Sequence, residues 1–187
     1  MRHYRIKTAA GAEPVTRDDV KIYTRVGHSV EDALIDSWVS AGRKLAEDYQ
    51  HRAYVSQVWQ MTFDSFPGKC IEIPQPPLIS LDSVKVYDED GAETTVAASD
   101  YFVDLTSEIG RICFIANFSW PSVTLRPLNG MVIEFTAGYG ASADVPDSVK
   151  NAIYIYCAHM FENRESESGD VPREFYSLLK PDRMAVY

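Results

Sequence analysis

The chain has 187 residues, 45% of them apolar and 24% charged, with 18 Lys and Arg against 27 Asp and Glu for a formal charge of −9. That length suits one ordinary globular domain, or one domain with an insertion. The charge argues against a protein that clamps nucleic acid by neutralising phosphates, and the lack of any run of about eighteen apolar residues argues against a membrane span.

Residues 1–14 read as an extended, loosely held arm, basic but without the apolar stretch of a signal peptide. Thr16 followed by Asp19 is a capping-box start, and Val20, Ile22 and Tyr23 continue it as a short helix to about Thr24. Gly27 and His28 break that helix. Ser29 is placed to cap a second one, with Glu31 and Asp32 suited to its dipole. Leu34, Trp38, Ala41, Leu45 and Tyr49 supply an apolar stripe, with Asp36, Arg43, Lys44 and Glu47 opposite.

From Tyr54 the period changes to two. Val55 to Phe66 alternates through Val58, Trp59, Met61 and Phe63, and Cys70 to Ile73 is a short strand between prolines. Val84 to Tyr87 runs into Asp88-Glu89-Asp90-Gly91, a hairpin turn. Tyr101 to Leu105 and Arg111 to Ile115 form another pair, and Asn129-Gly130 turns into a strand at Met131 to Phe135. Gly138 and Gly140 end it. A long helix then follows from Asp147, read as its cap, to Glu165, with Val149, Ile153, Tyr156 and Met160 at helical spacing. A polar, mobile loop from Glu165 to Asp170 leads to a last short helix, opened by Pro172, holding Phe175, Leu178 and Leu179, and stopped by Pro181. The expected fold is therefore α+β: a small helical bundle from residues 15–52 and 146–181, with an antiparallel β insertion of about five to seven strands at 54–140.

The long helix stands out. From Ile153 to Phe161 (IYIYCAHMF) only His159 is polar, and a helix apolar most of the way round must be buried most of the way round. Either its own subunit or a neighbour has to supply that cover.

Catalytic patterns are weak. Gly138-Tyr-Gly140-Ala-Ser-Ala143 loosely matches a dinucleotide fingerprint, but Pro146 separates it from the helix, so a strand-ending turn is the better reading. His3, His28, His51 and His159 form no pair at ligand spacing, which leaves no support for metal or cofactor. His159 reads as a hydrogen-bonded core or interface histidine. Cys70, Cys113 and Cys157 lie far apart and leave one unpaired in any disulfide scheme, which fits a reducing compartment and three small buried apolar residues. The acidic turn before Gly91 lacks the later Glu of a calcium loop. Aromatics crowd the β insertion (Tyr54, Trp59, Phe63, Phe66, Tyr87, Tyr101, Phe102, Phe114, Phe118, Trp120), where they serve core packing or a sticky face.

The order of several short motifs resembles the head–tail connector (adaptor) proteins of tailed double-stranded DNA phages. These are Leu45-Ala-Glu-Asp-Tyr49, Pro77-Leu-Ile-Ser-Leu-Asp-Ser-Val84, Asp100-Tyr-Phe-Val-Asp104, Phe135-Thr-Ala-Gly-Tyr-Gly140, Val145-Pro-Asp-Ser-Val-Lys150, Glu162-Asn-Arg-Glu165 and Leu178-Leu-Lys-Pro-Asp-Arg183. The resemblance covers the chain from Pro14 onward. It implies a non-enzymatic structural protein of the virion neck, assembled in the host cytoplasm into a ring of about twelve copies. That ring would sit beneath the portal protein, above a tail or stopper/terminator protein, and extend the channel through which DNA passes without specific binding. It further implies subunit contacts through Ile153, Tyr154, Tyr156, Met160 and Phe161. A docking arm, Lys180 to Tyr187, would reach the portal through Pro181, Arg183, Met184, Val186 and Tyr187. Two other readings stand beside it: an aromatic-rich β module that binds carbohydrate or another virion protein, and a small hydrolase built on a carboxylate pair or Cys113.

Overall fold

The computed structural model describes residues 2–163 and 171–184. The chain is α+β, with two antiparallel sheets and four α-helices among the described residues. It divides into a β unit, Met1–Ala10 with Ser56–Gly138, and a helical unit, Gly11–Val55 with Tyr139–Tyr187.

In the β unit a five-stranded sheet has the order β1 (Arg2–Thr8), β2 (Gln57–Phe63), β8 (Met131–Ala137), β4 (Leu78–Tyr87) and β5 (Glu93–Thr95). A three-stranded sheet has β3 (Cys70–Glu72), β7 (Arg111–Phe114) and β6 (Tyr101–Asp104). Register places Met61, Ile133 and Val84 in one row across β2, β8 and β4, all fully buried. That row is the centre of the core, because period-two side chains of three adjacent strands point the same way. The β4–β5 hairpin turns at Gly91, whose φ of 82° suits glycine, while Asp88 accepts from the Ala92 amide. At Gly110 a Cβ would stand 2.5 Å from Leu78 Cδ2, so only glycine lets the start of β7 lie this close to β4.

Two sequence expectations need correcting here. Residues 2–8 are not a loose arm but an edge strand paired along β2. All seven residues of β1 are exposed, so burial imposes no alternation that a sequence could display. Nor are all three cysteines buried apolar residues. Cys70 and Cys113 face each other across β3 and β7 with Cα atoms 4.1 Å apart and form a disulfide, and Cys70 is exposed. They are 43 residues apart in sequence, and only the pairing of two short strands brings them together.

The helical unit contains α1 (Arg17–Thr24), α2 (Asp32–Gln50), α3 (Asp147–Glu162) and α4 (Arg173–Leu179), the last followed by a 3₁₀ turn at Lys180–Asp182. The capping box of α1 forms as expected, with Thr16 and Asp19 each accepting from the other's amide. The Thr16 hydroxyl, and next the Thr16 amide, donate to the Asp19 carboxylate and hold it below the usual carboxylate range. Ser29 does not cap α2. The helix begins at Asp32, and the Ser29 carbonyl accepts from the Asp32 amide one turn earlier. Asp147 is likewise the first helical residue of α3, with Pro146 in the cap position.

The buried stripe of α2 is Ile35, Trp38, Val39, Gly42, Ala46, Glu47 and Gln50. The expected stripe was rotated from it: Leu34 and Ala41 are exposed, and Leu45 and Tyr49 half-buried. A hydropathy reading discounts Gly, Glu and Gln, yet these three occupy the inner face. A Cβ on Gly42 would stand 2.8 Å from Tyr156 Cδ1, so α2 approaches α3 where glycine leaves room.

Candidate assembly surface

α3 packs against α1, α2 and α4 within its own unit. Ile153 and Cys157 are fully buried there. Tyr154 stacks on Tyr23 of α1 at 5.4 Å, Tyr156 meets Phe175 of α4 at 6.0 Å, and Phe161 lies edge-on to Trp38 of α2 at 6.4 Å. The other residues from Tyr154 to Phe161 are half-buried, and none is exposed. Three helical neighbours thus supply most of the cover that this apolar segment needs. Ile153 has no surface left for a second subunit, whereas Tyr154, Tyr156, Met160 and Phe161, on two sides of the helix, each keep part of their surface open.

Among the described residues, the most exposed large apolar side chains of this unit lie elsewhere. Ile22 is 77% exposed, Val30 89%, Tyr23 50% and Leu34 41%. They belong to α1, the α1–α2 connection and the first turn of α2. That corner is fixed by ion pairs: Arg17 forks onto Asp32 and Asp36, and Lys21 donates to Asp32 at 2.8 Å. Lys21 and then Arg17 hold the Asp32 carboxyl below its ordinary range. Of the three apolar residues that continue α1 after its cap, only Val20 is buried. The signal was available in the spacing, since Ile22 lies two residues, about 200°, from Val20.

The last described residues return to the end of α2. Gln50 is fully buried; its Nε2 donates to the Leu179 carbonyl at 2.6 Å, and its Oε1 accepts from Tyr54 Oη at 2.7 Å. The Gln50 carbonyl accepts from the Met184 amide at 3.0 Å. Arg52 Nε donates to the Asp182 carbonyl at 2.7 Å, and Arg183 donates to the Tyr49 carbonyl while lying 4.8 Å over its ring. Burial, and next the charge of Glu47, pushes the Tyr54 phenol well above its ordinary pKa. Of the expected docking residues, Pro181 and Arg183 are exposed and Met184 half-buried, all fastened beside this latch. Val186 and Tyr187 lie outside the described residues, as do Glu165 and the loop to Asp170.

The residues considered for chemistry are placed as follows. Cys113 is oxidised and cannot act as a nucleophile. Burial pushes the Cys157 thiol up to about 12, which leaves it protonated and inert at neutral pH. His159 is half-buried, with its Nδ1 3.3 Å from Asn163 Nδ2 on the next turn. Asp144 accepts from the Ala141 amide at 2.9 Å and closes the turn after Gly140. Asp104 is occupied by Ser107 and Arg111, which hold it well below the carboxylate range. Among the described residues no group of three or more His, Cys, Asp or Glu could hold a metal, and no helix is long and apolar enough to cross a membrane. Phe114, Phe118 and Trp120 pack on one another at 4.6–4.9 Å, with Phe66 stacked on Trp120 at 4.7 Å; Phe114 is buried and the other three are half-buried.

No protein-family model and no curated protein matches the chain. Solved structures do, along nearly its whole length. A protein from the neck of an empty gene transfer agent (GTA) particle, solved with C6 symmetry, superposes with a TM-score of 0.80 at 22% identity, over 99% of this chain and 97% of its own. One from the virion of a native GTA particle gives 0.82 at 20% identity, over 98% and 96%. Another, from the neck of a native GTA particle solved with C12 symmetry, gives 0.73 at 20% identity, over 99% and 97%. At this level of identity the likeness shows a shared fold.

Proposed function

We propose that the chain is a structural, non-catalytic protein of the neck of a virus-like particle: an adaptor that forms a ring beneath the portal and joins the head to the tail. The observation that carries this is the superposition of both units, over 99% of the chain, on a protein from a GTA neck. The motif order read from the sequence supports the same assignment independently of the coordinates. The two neck structures were solved with C6 and C12 symmetry, which suits a ring of twelve copies here.

A closed ring needs a head-to-tail contact between two different patches of one subunit. The helical unit offers two half-buried sides of α3, Tyr154 with Phe161 and Tyr156 with Met160, and the exposed apolar corner at Ile22, Val30 and Leu34. Pairing these would remove from water side chains that the subunit leaves uncovered. Residues 180–187 serve as the portal contact, with Pro181, Arg183 and Met184 fixed by the Gln50–Tyr54 latch and Val186 and Tyr187 beyond it. A tail or stopper/terminator protein then closes the lower side. A net charge of −9 fits a channel that DNA passes without being held.

Electron microscopy of the chain mixed with the portal protein from the same particle tests the proposal. A ring seated on the portal is expected, and its loss on truncation after Met184 would locate the contact. Particles whose necks lack this chain would refute the assignment.

A further inference from the structure

The two edges of the five-stranded sheet carry opposite charge. β1 has Arg2, His3, Arg5 and Lys7 and no carboxylate, with every residue exposed. At the other edge the β4–β5 hairpin carries Asp88, Glu89, Asp90 and Glu93, of which the last three are exposed. The basic groups are only partly neutralised internally. Lys7 pairs with Glu134, but Arg5 spends Nε and Nη2 on the neutral Gln60 amide oxygen. Arg126, on the same cleft of about 380 Å³ as His3 and Arg5, donates its guanidinium to the Asn129 carbonyl and lies 4.3 Å over the Tyr87 ring, neither of which is a carboxylate. At the acidic edge Glu93 is engaged by Lys85 and Tyr87, while Glu89 and Asp90 point their charge at solvent.

Direction and level also agree. All four strand pairings across the sheet are antiparallel, so β1 and β5 run the same way. One row of register partners crosses it through Arg2, Phe63, Met131, Val86 and Thr94. The start of the basic edge therefore lies at the same end of the sheet as the acidic turn. A neighbour related by rotation about a ring axis keeps strand direction and level, so its β1 comes alongside β5 in parallel register, with Arg2 near Glu93 and the turn. Both edges present unpaired backbone N–H and C=O groups that can join such a ladder.

We propose that the occupant of the β1 edge is a second copy of this chain. The acidic β4–β5 hairpin of one subunit seats against the basic edge of the next, and the sheet continues from subunit to subunit. This rests on the ring reading above and adds a second contact to it. It also accounts for the use of unlike charges on opposite edges, since a strand protected only against aggregation would be served by like charge on both.

Charge reversal in the full-length chain tests it. Arg2→Glu with Arg5→Glu makes both edges acidic, and Glu89→Lys with Asp90→Lys cancels the acidic charge of the hairpin, leaving Asp88 and Glu93 against two lysines. Each double variant is expected to keep its circular dichroism spectrum yet self-associate about tenfold or more weakly than the parent chain. A one-to-one mixture of the two should associate again. Carbodiimide treatment of that mixture should then link the introduced lysines to the introduced glutamates, as mapped by mass spectrometry. If the mixture yields no such link, or if the variants assemble as well as the parent, the edge pairing is wrong. In the second case rings on the portal would still uphold the neck assignment, so the two failures are distinguishable.

Discussion

The two units of this chain reach a fixed structure by different means. The β unit is held by long-range register: strands distant in sequence form a ladder, and a disulfide ties together two of the shortest, β3 and β7. The helical unit has no such ladder. Its helices meet through one apolar core around Ile153, Cys157, Phe175 and Leu179, all fully buried, and its C-terminal turn is held by a buried polar latch on Gln50. Local sequence thus governs the helices and tertiary pairing governs the strands. Perturbations aimed at one unit should leave a different signature from those aimed at the other.

The largest effect is expected at Phe175. It is fully buried and makes ring contacts with both Tyr156 and Tyr176. Phe175→Ala should cost about 3–5 kcal/mol, through lost transfer energy and the cavity left where α4 meets α3. Hydrogen exchange followed by mass spectrometry should report faster exchange in α3 and α4 with β2 and β8 unchanged. Uniform acceleration in both units would show that they share a single cooperative unfolding unit and would erase the contrast drawn above.

Next in size is the disulfide. Replacing Cys70 and Cys113 by Ser opens a loop spanning 43 residues and should lower the stability of the β unit by about 2–4 kcal/mol, with exchange rising in β3, β6 and β7. Mass measurement with and without reductant before alkylation checks the premise, since one free thiol, Cys157, is expected without reductant. A chain that alkylates at three cysteines without reductant would remove the covalent half of the comparison.

The sequence made the fold class legible because both periods were plain: 3.6 in α2 and α3, two in β2. It also made the turn at Gly91 and the capping box at Thr16 legible, because turns and caps are local chemistry. Three kinds of feature were hidden for physical reasons. β1 lacks alternation because neither of its faces is buried. The Cys70–Cys113 bridge depends on strand pairing that sequence separation conceals. The inner face of α2 uses Gly42, Glu47 and Gln50, whose burial is set by a close helix approach and by hydrogen bonds rather than by hydropathy. The candidate surface was legible in part. The apolar length of α3 was visible, as was the spacing that turns Ile22 away from Val20, but not that α1, α2 and α4 would cover most of α3, nor that Val30 would be left open.

The smallest expected effect concerns the latch. Tyr54→Phe removes the donor to Gln50 Oε1 and leaves a fully buried amide oxygen without that bond, at a cost of about 1–2 kcal/mol. The sign of its pH dependence follows from the raised phenol pKa. The neutral phenol's contribution is fully present below the unfolded-state value of about 10 and is lost as pH rises past it, because the unfolded chain ionises first. The stability difference between parent and variant should therefore be constant through neutral pH and shrink above about pH 10. Denaturant titrations at pH 7 and pH 10.5 measure it. A difference that grows with pH would mean that the phenolate is favoured in the folded unit, so that burial does not govern Tyr54. The latch would then be no firm base for the residues after Leu179 that are assigned to the portal.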